Sequence, residues 1–187
     1  MNKTNEQYDA VILGCKDVFL KKNKDYGTAW RVLRTISIVD QIYIKAQRIR
    51  TIQDLKQQKI ADDIAGEFKG IINYSVIGLI QLGLPAGAPE ELQETAVRAY
   101  YDQYIDTARS LMQDKNHDYG EAWRNMSQES FVDLILMKLL RIRQILGNDH
   151  KTLISEGIDA NYNDIINYAV FALILQGEAD SSKPVTP

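Results

Sequence analysis

A ten-residue block occurs twice in this 187-residue chain, and that repetition constrains the fold more than any other feature. Lys22-Asn23-Lys24-Asp25-Tyr26-Gly27-Thr28-Ala29-Trp30-Arg31 returns 93 residues later as Lys115-Asn116-His117-Asp118-Tyr119-Gly120-Glu121-Ala122-Trp123-Arg124. At the same offset Asp40, Lys45, Arg48 and Arg50 become Asp133, Lys138, Arg141 and Arg143. Ile71-Ile72-Asn73-Tyr74 recurs as Ile165-Ile166-Asn167-Tyr168, with one residue gained. Blocks and charges repeated in register mark a tandem duplication, in which each copy is one structural unit.

Each copy reads as three helices. In the first, Val11, Ile12, Cys15, Val18 and Phe19 follow the three-and-four spacing of one helical face. That helix is expected over about 5–23, with Thr4 and Gln7 spaced as a capping box. The Asp-Tyr-Gly element stops it, glycine accepting the positive φ that follows a helix. A second helix is expected over about 37–57 and a third over about 62–82. No strand alternation or hairpin signal is present. The predicted fold is therefore all-α. It is a helical bundle of two tandem three-helix copies, packed about a pseudo-two-fold axis because one copy alone would leave apolar surface exposed. The expected boundaries are 1–84 for the first copy, 85–90 for a Pro/Gly-rich linker, 91–176 for the second copy and 177–187 for a mobile tail.

Charge narrows the function classes. A net charge of −3 and a pI near 5.4 lack the basic footprint of a protein that coats long nucleic acid. One cysteine, Cys15, allows no internal disulfide and is expected to be a buried thiol. No run of about 18 apolar residues suggests a membrane span, and the polar amino terminus has no signal-peptide core. A cytoplasmic protein is expected. His117 and His150 are expected at the surface, and no zinc-type spacing, Walker loop or Gly-x-Gly-x-x-Gly occurs.

The second helix of each copy carries charges where apolar residues occur all round. Asp133, Lys138 and Arg141 interrupt 131–142, within an arc of roughly 140° at helical spacing. Asp40, Lys45 and Arg48 repeat the pattern. Apolar residues on every side predict a buried helix, and buried charges need partners, ions or ligands. Two readings follow. Either the charges neutralise one another at the joint between copies, or the carboxylate holds a cation while the bases hold phosphate.

The third helix adds acids. Glu156-x-x-Asp159 places two carboxylates in one turn, and Asp164 follows two turns beyond Glu156. Oxygen clusters of this kind suit Mg2+ or Mn2+, although acids in a first turn also serve the helix dipole. The first copy has Asp62, Asp63 and Glu67, with Gly70 where the second has Asp164. Asp63, Glu67, Gly70 and Tyr74 share one face, matched by Gly157, Asn161, Asp164 and Tyr168. Such divergence suggests divided labour, and the Glu-x-x-Asp favours the second copy for chemistry. Tyr26, Trp30, Tyr119 and Trp123 either stack on a base or plug the core, with Tyr74 or Tyr168 closing such a pocket.

These motifs resemble the nucleotide modification associated domain, type one. Its pattern is Lys-x-x-Asp-Tyr-Gly, then Lys-x-x-Arg, then an acidic helix ending Asp-x-x-Asn-Tyr. Lys115 with Asp118-Tyr119-Gly120, Lys138 with Arg141, and Asp164 with Asn167-Tyr168 carry it here, over nearly the whole chain. The first copy departs at Gly70. The resemblance implies a bacterial protein tied to nucleotide or nucleic-acid modification. The helical plan is also similar, more distantly, to the all-α MazG-like and dimeric dUTPase pyrophosphohydrolases, which hold magnesium on acids of two helices. Their Glu-x-x-Glu helix is absent. By that likeness Asp133 and Glu156 would be catalytic, and Asp133, Glu156, Asp159 and Asp164 would hold Mg2+ or Mn2+. Lys138, Arg141, Lys45 and Arg48 would bind phosphate, and Tyr119, Trp123 and Tyr168 would bind the base. The implied partner is a nucleoside triphosphate, with homodimerisation by analogy. The alternative is a non-catalytic nucleotide-binding or interaction module whose buried charges are structural.

Overall fold

The computed structural model describes residues 3–57, 63–151 and 156–181. Among these are six α-helices and no strand. The first copy supplies α1 (Lys3–Tyr26), α2 (Thr35–Leu55) and α3 (Ile64–Gly83). The second supplies α4 (Glu94–Tyr119), α5 (Gln128–Gly147) and α6 (Ile158–Ser181). In each copy the Ala-Trp-Arg segment forms a single 3-10 turn between the first two helices.

The Asp-Tyr-Gly element ends its helices as expected. α1 and α4 run through the tyrosine, and Gly27 and Gly120 take φ of 59° and 60°. Each glycine N–H then closes onto the asparagine carbonyl four residues back, at 2.8 and 2.9 Å. A side chain there would strain the backbone, so the glycine fixes the position at which the chain turns.

Three details differ from expectation. Thr4 lies inside α1, buried and bonded to Glu121 and Arg124, so it is not a cap. The capping role is filled elsewhere, by Asp63 on Gly66 N–H at 2.6 Å and by Ser127 on Ser130 N–H. The region expected as a tail is helical to Ser181, because Glu178 is held by Lys3, Gln7 and Arg124; residues 182–187 lie outside the described ones. Finally, α2 and α5 are not covered on every side. Ile44, Met137 and Leu140 are exposed beside Asp40 and Asp133.

α3 and α6 form the centre. Their residues are buried almost throughout, and they pack on each other, with α2 and α5 alongside. Close approach depends on Gly78. A Cβ there would stand 2.5 Å from the ring of Tyr162.

The copies exchange equivalent contacts. Tyr8 donates to Asn167 Oδ1 and Tyr101 to Asn73 Oδ1, both at 2.9 Å. Asn167 Nδ2 then donates to the Ala108 carbonyl, as Asn73 Nδ2 does to that of Cys15. Lys16 pairs with Asp102 and Arg109 with Asp9. Asp40 pairs with Arg143 at 2.7 Å, and Asp133 with Arg50 at 3.9 Å. Buried polar groups demand such partners. The Asn of each Asn-Tyr pair is therefore a joint between copies. Cys15 is fully buried, and burial pushes its thiol up to about 12 despite nearby Lys69.

Candidate functional site

Each copy encloses a cavity between its three helices, walled by equivalent residues. In the second copy the first helix brings Lys115, Asn116 and Tyr119, and the 3-10 turn brings Trp123. α5 contributes Lys138, and α6 contributes Asp164, Asn167 and Tyr168. In the first copy Lys22, Asn23, Tyr26, Trp30, Lys45, Gly70, Asn73 and Tyr74 take the same places. The repeated motif and the repeated charges thus serve one construction. The helix stop sets the lysine and tyrosine at the cavity's edge, and the third helix forms its floor.

The second cavity contains its own ion cluster. Asp164 Oδ1 accepts from Lys115 Nζ at 2.6 Å, and Oδ2 accepts from Lys138 Nζ at 2.6 Å. Asp164 and Lys138 are buried, while the Lys115 side chain is half-exposed. Burial pushes the Asp164 carboxyl up, but hydrogen bonds and charge from both lysines outweigh it and hold the group below its ordinary value. Burial likewise lowers Lys115, and its bond to Asp164 more than reverses that, leaving it raised. Lys–carboxylate–Lys clusters of this geometry are charge-assisted and strong.

The first cavity differs in its charges. Gly70 replaces Asp164, and among the described residues no carboxylate lines the cavity. Lys45 turns to Glu67 on the neighbouring turn at 3.3 Å, where Glu67 also accepts from Arg48 at 2.6 Å. Lys22 and Lys69 line the cavity without an ion pair among the described residues. Asn23 Oδ1 is buried on its wall with no hydrogen-bond partner among the described residues. Tyr26 is about half-exposed at the mouth. Burial raises its hydroxyl, and the nearby Tyr74 adds to that.

The acids expected to act together are separated. Asp133 faces outward on α5 and pairs with Arg50. Glu156 precedes α6 instead of opening it, and is exposed at the edge of the second cavity. Asp159 lies in the first turn of α6, in a different cleft with His150 and Tyr104. Asp164 faces the two lysines. Among the described residues no three His, Cys, Asp or Glu side chains come close enough to hold a metal ion. Octahedral magnesium needs several oxygens around one point, and this donor set does not supply them; Asp62 and Ser155 lie outside the described residues.

The remaining expectations sort by contact. Lys138 and Tyr168 reach the cavity, but Arg141 lines neither of the two and has no ion pair among the described residues, because Asn161 stands where the first copy has Glu67. Trp123 is buried, stacked on Phe171 at 4.1 Å, with the Arg124 guanidinium 4.4 Å from its ring. A base would therefore meet Tyr119 and Tyr168 before Trp123. Lys115, Lys22 and Lys69 were absent from the expected phosphate ligands. The signal for the first two was the lysine that opens both copies of the motif. Lys69 has no repeated counterpart.

A two-copy helical protein whose every copy closes lysines and aromatics around one cavity is the class this architecture defines. Residues 22–82 and 115–175 each match nucleotide modification associated domain 1. The chain belongs to that family, in a tandem two-copy form. No curated protein and no solved structure matches it significantly. No helix among the described residues is long and apolar enough to cross a membrane.

Proposed function

We propose that the protein binds a nucleotide within these cavities, its phosphate on converging lysines and its ring against the tyrosines. One observation carries the reading. In both copies a lysine from the end of the first helix and a lysine from the second helix line one cavity with the motif tyrosine and the Asn-Tyr tyrosine. Ammonium groups offset phosphate charge, and aromatic faces accept a base of any sequence. Family membership, tied to nucleotide modification, points the same way. The test is thermal melting and calorimetric titration with mono- and triphosphates of the common nucleosides. A saturable rise in melting temperature with at least one of them is expected, and no binding of any would sink the reading.

A magnesium-dependent pyrophosphohydrolase acting on a nucleoside triphosphate is the second reading. It is favoured by Glu156 and Asp164 lining one cavity of 470 Å3, within the size of sites that enclose small ligands. A divalent ion at Asp164 would have to replace Lys115 or Lys138. Mass spectrometry of nucleotide mixtures, with and without Mg2+ or Mn2+, separates the readings. Metal-dependent monophosphate and pyrophosphate, lost in Asp164→Asn, would establish hydrolysis.

A further inference from the structure

The two cavities differ most where they ought to be most alike. Among the described residues, three ammonium groups and no carboxylate line the first; Asp62, the counterpart of Glu156, lies outside them. The second has two ammonium groups and two carboxylates, Glu156 and Asp164. Resting on the nucleotide-binding reading, we propose that only the first copy's cavity takes the phosphate of a nucleoside monophosphate, and that Asp164 occupies the phosphate's place in the second.

The stereochemistry is specific. Asp164 presents one oxygen to each lysine at 2.6 Å, as a phosphate bridging two ammonium groups would. An incoming phosphate would compete with a carboxylate already satisfied there, and would meet its charge at short range. In the first copy the corresponding atoms are missing. Gly70 has no side chain, and a Cβ there would lie 2.8 Å from Lys45 Cε. Lys22 and Lys69 remain unpaired among the described residues. Lys45 makes the longer of the two contacts to Glu67, whose charge Arg48 shares. A phosphate monoester carries about −1.5 to −2 at neutral pH, which three lysines offset. The cavity measures 180 Å3, below the roughly 300–1,000 Å3 of sites that enclose a whole drug-sized ligand, so it has room for the phosphate while the nucleoside stays outside. A monophosphate with its ring at the Tyr26 mouth therefore suits it better than a triphosphate. Asn23 Oδ1, buried on the wall and unpartnered among the described residues, would accept from a sugar hydroxyl or a base N–H.

The experiment is calorimetric titration of the full chain with nucleoside 5′-monophosphates and with inorganic phosphate. One site per chain is expected. Lys22→Met should weaken it about tenfold, as loss of a charge-assisted contact does. Gly70→Asp, which copies the second cavity into the first, should abolish it. Asp164→Gly, the reverse exchange, should raise the stoichiometry to two. If that variant unfolds, the Lys22 and Gly70 variants decide alone. A nucleotide that binds wild type and Gly70→Asp equally, but is lost in Lys115→Met, would overturn the inference and leave the nucleotide reading standing. Phosphate bound at the Lys22-dependent site with no nucleotide binding would overturn the nucleotide reading and the monophosphate with it, leaving an inorganic-phosphate site in the first cavity. Binding of neither overturns both.

Discussion

Asp164 shows how one residue sets the character of a cavity. Removing it leaves Lys138, buried, beside Lys115 with only the exposed Glu156 as a counter-charge nearby. Breaking a buried ion pair costs several kcal/mol, and half-exposure of Lys115 reduces that through solvent screening. Asp164→Ala should therefore destabilise the protein by about 2–3 kcal/mol in urea unfolding. The pH dependence has a definite sign. Asp164 is depressed in the folded protein, so its stabilisation is full above the unfolded value of about 4 and is lost as pH falls further. Lys115 is raised, so its share holds below about 10.4 and is lost as pH climbs through the folded value. Asp164→Asn should flatten both limbs of the stability profile. Unchanged limbs would show that the cluster contributes nothing to folding.

At the scale of elements, the Asn-Tyr pair at the middle of α3 and α6 divides its work. Tyr74 and Tyr168 look into the cavities, while Asn73 and Asn167 bind the buried hydroxyls of Tyr101 and Tyr8 across the copies. Asn167→Leu leaves the Tyr8 hydroxyl and the Ala108 carbonyl unsatisfied, at about 2–3 kcal/mol. Tyr8→Phe in that background should recover part of the loss, measured by chemical denaturation. Additive losses would show that the two residues do not interact. The helices themselves were legible from apolar spacing, and their ends from Asp-Tyr-Gly. Burial of α2 and α5 was not. An apolar residue such as Met137 or Leu140 satisfies the periodicity whether or not another helix covers it. The pairing of Asp40 with Arg143 and of Asp133 with Arg50 was not legible, because each partner comes from the other copy.

For the whole molecule, the duplication yields one body because α3 and α6 bury their faces on each other. Neither copy keeps a covered core without its twin, so the protein should unfold in a single transition. Trp30→Phe and Trp123→Phe leave one fluorophore in each copy in turn. Their urea midpoints should agree with that from circular dichroism, and two separated transitions would contradict a shared core. The contrast between Gly70 and Asp164 was visible along the chain, but its meaning was not. Lys115 and Lys138 come from different helices, and only folding brings both to Asp164. The most direct measurement is a crystal structure of the protein with a nucleoside 5′-monophosphate bound. Phosphate is expected among Lys22, Lys45 and Lys69, with the Lys115–Asp164–Lys138 cluster closed. Phosphate on Lys115 and Lys138 with Asp164 displaced, or a metal ion between Asp164 and Glu156, would contradict it.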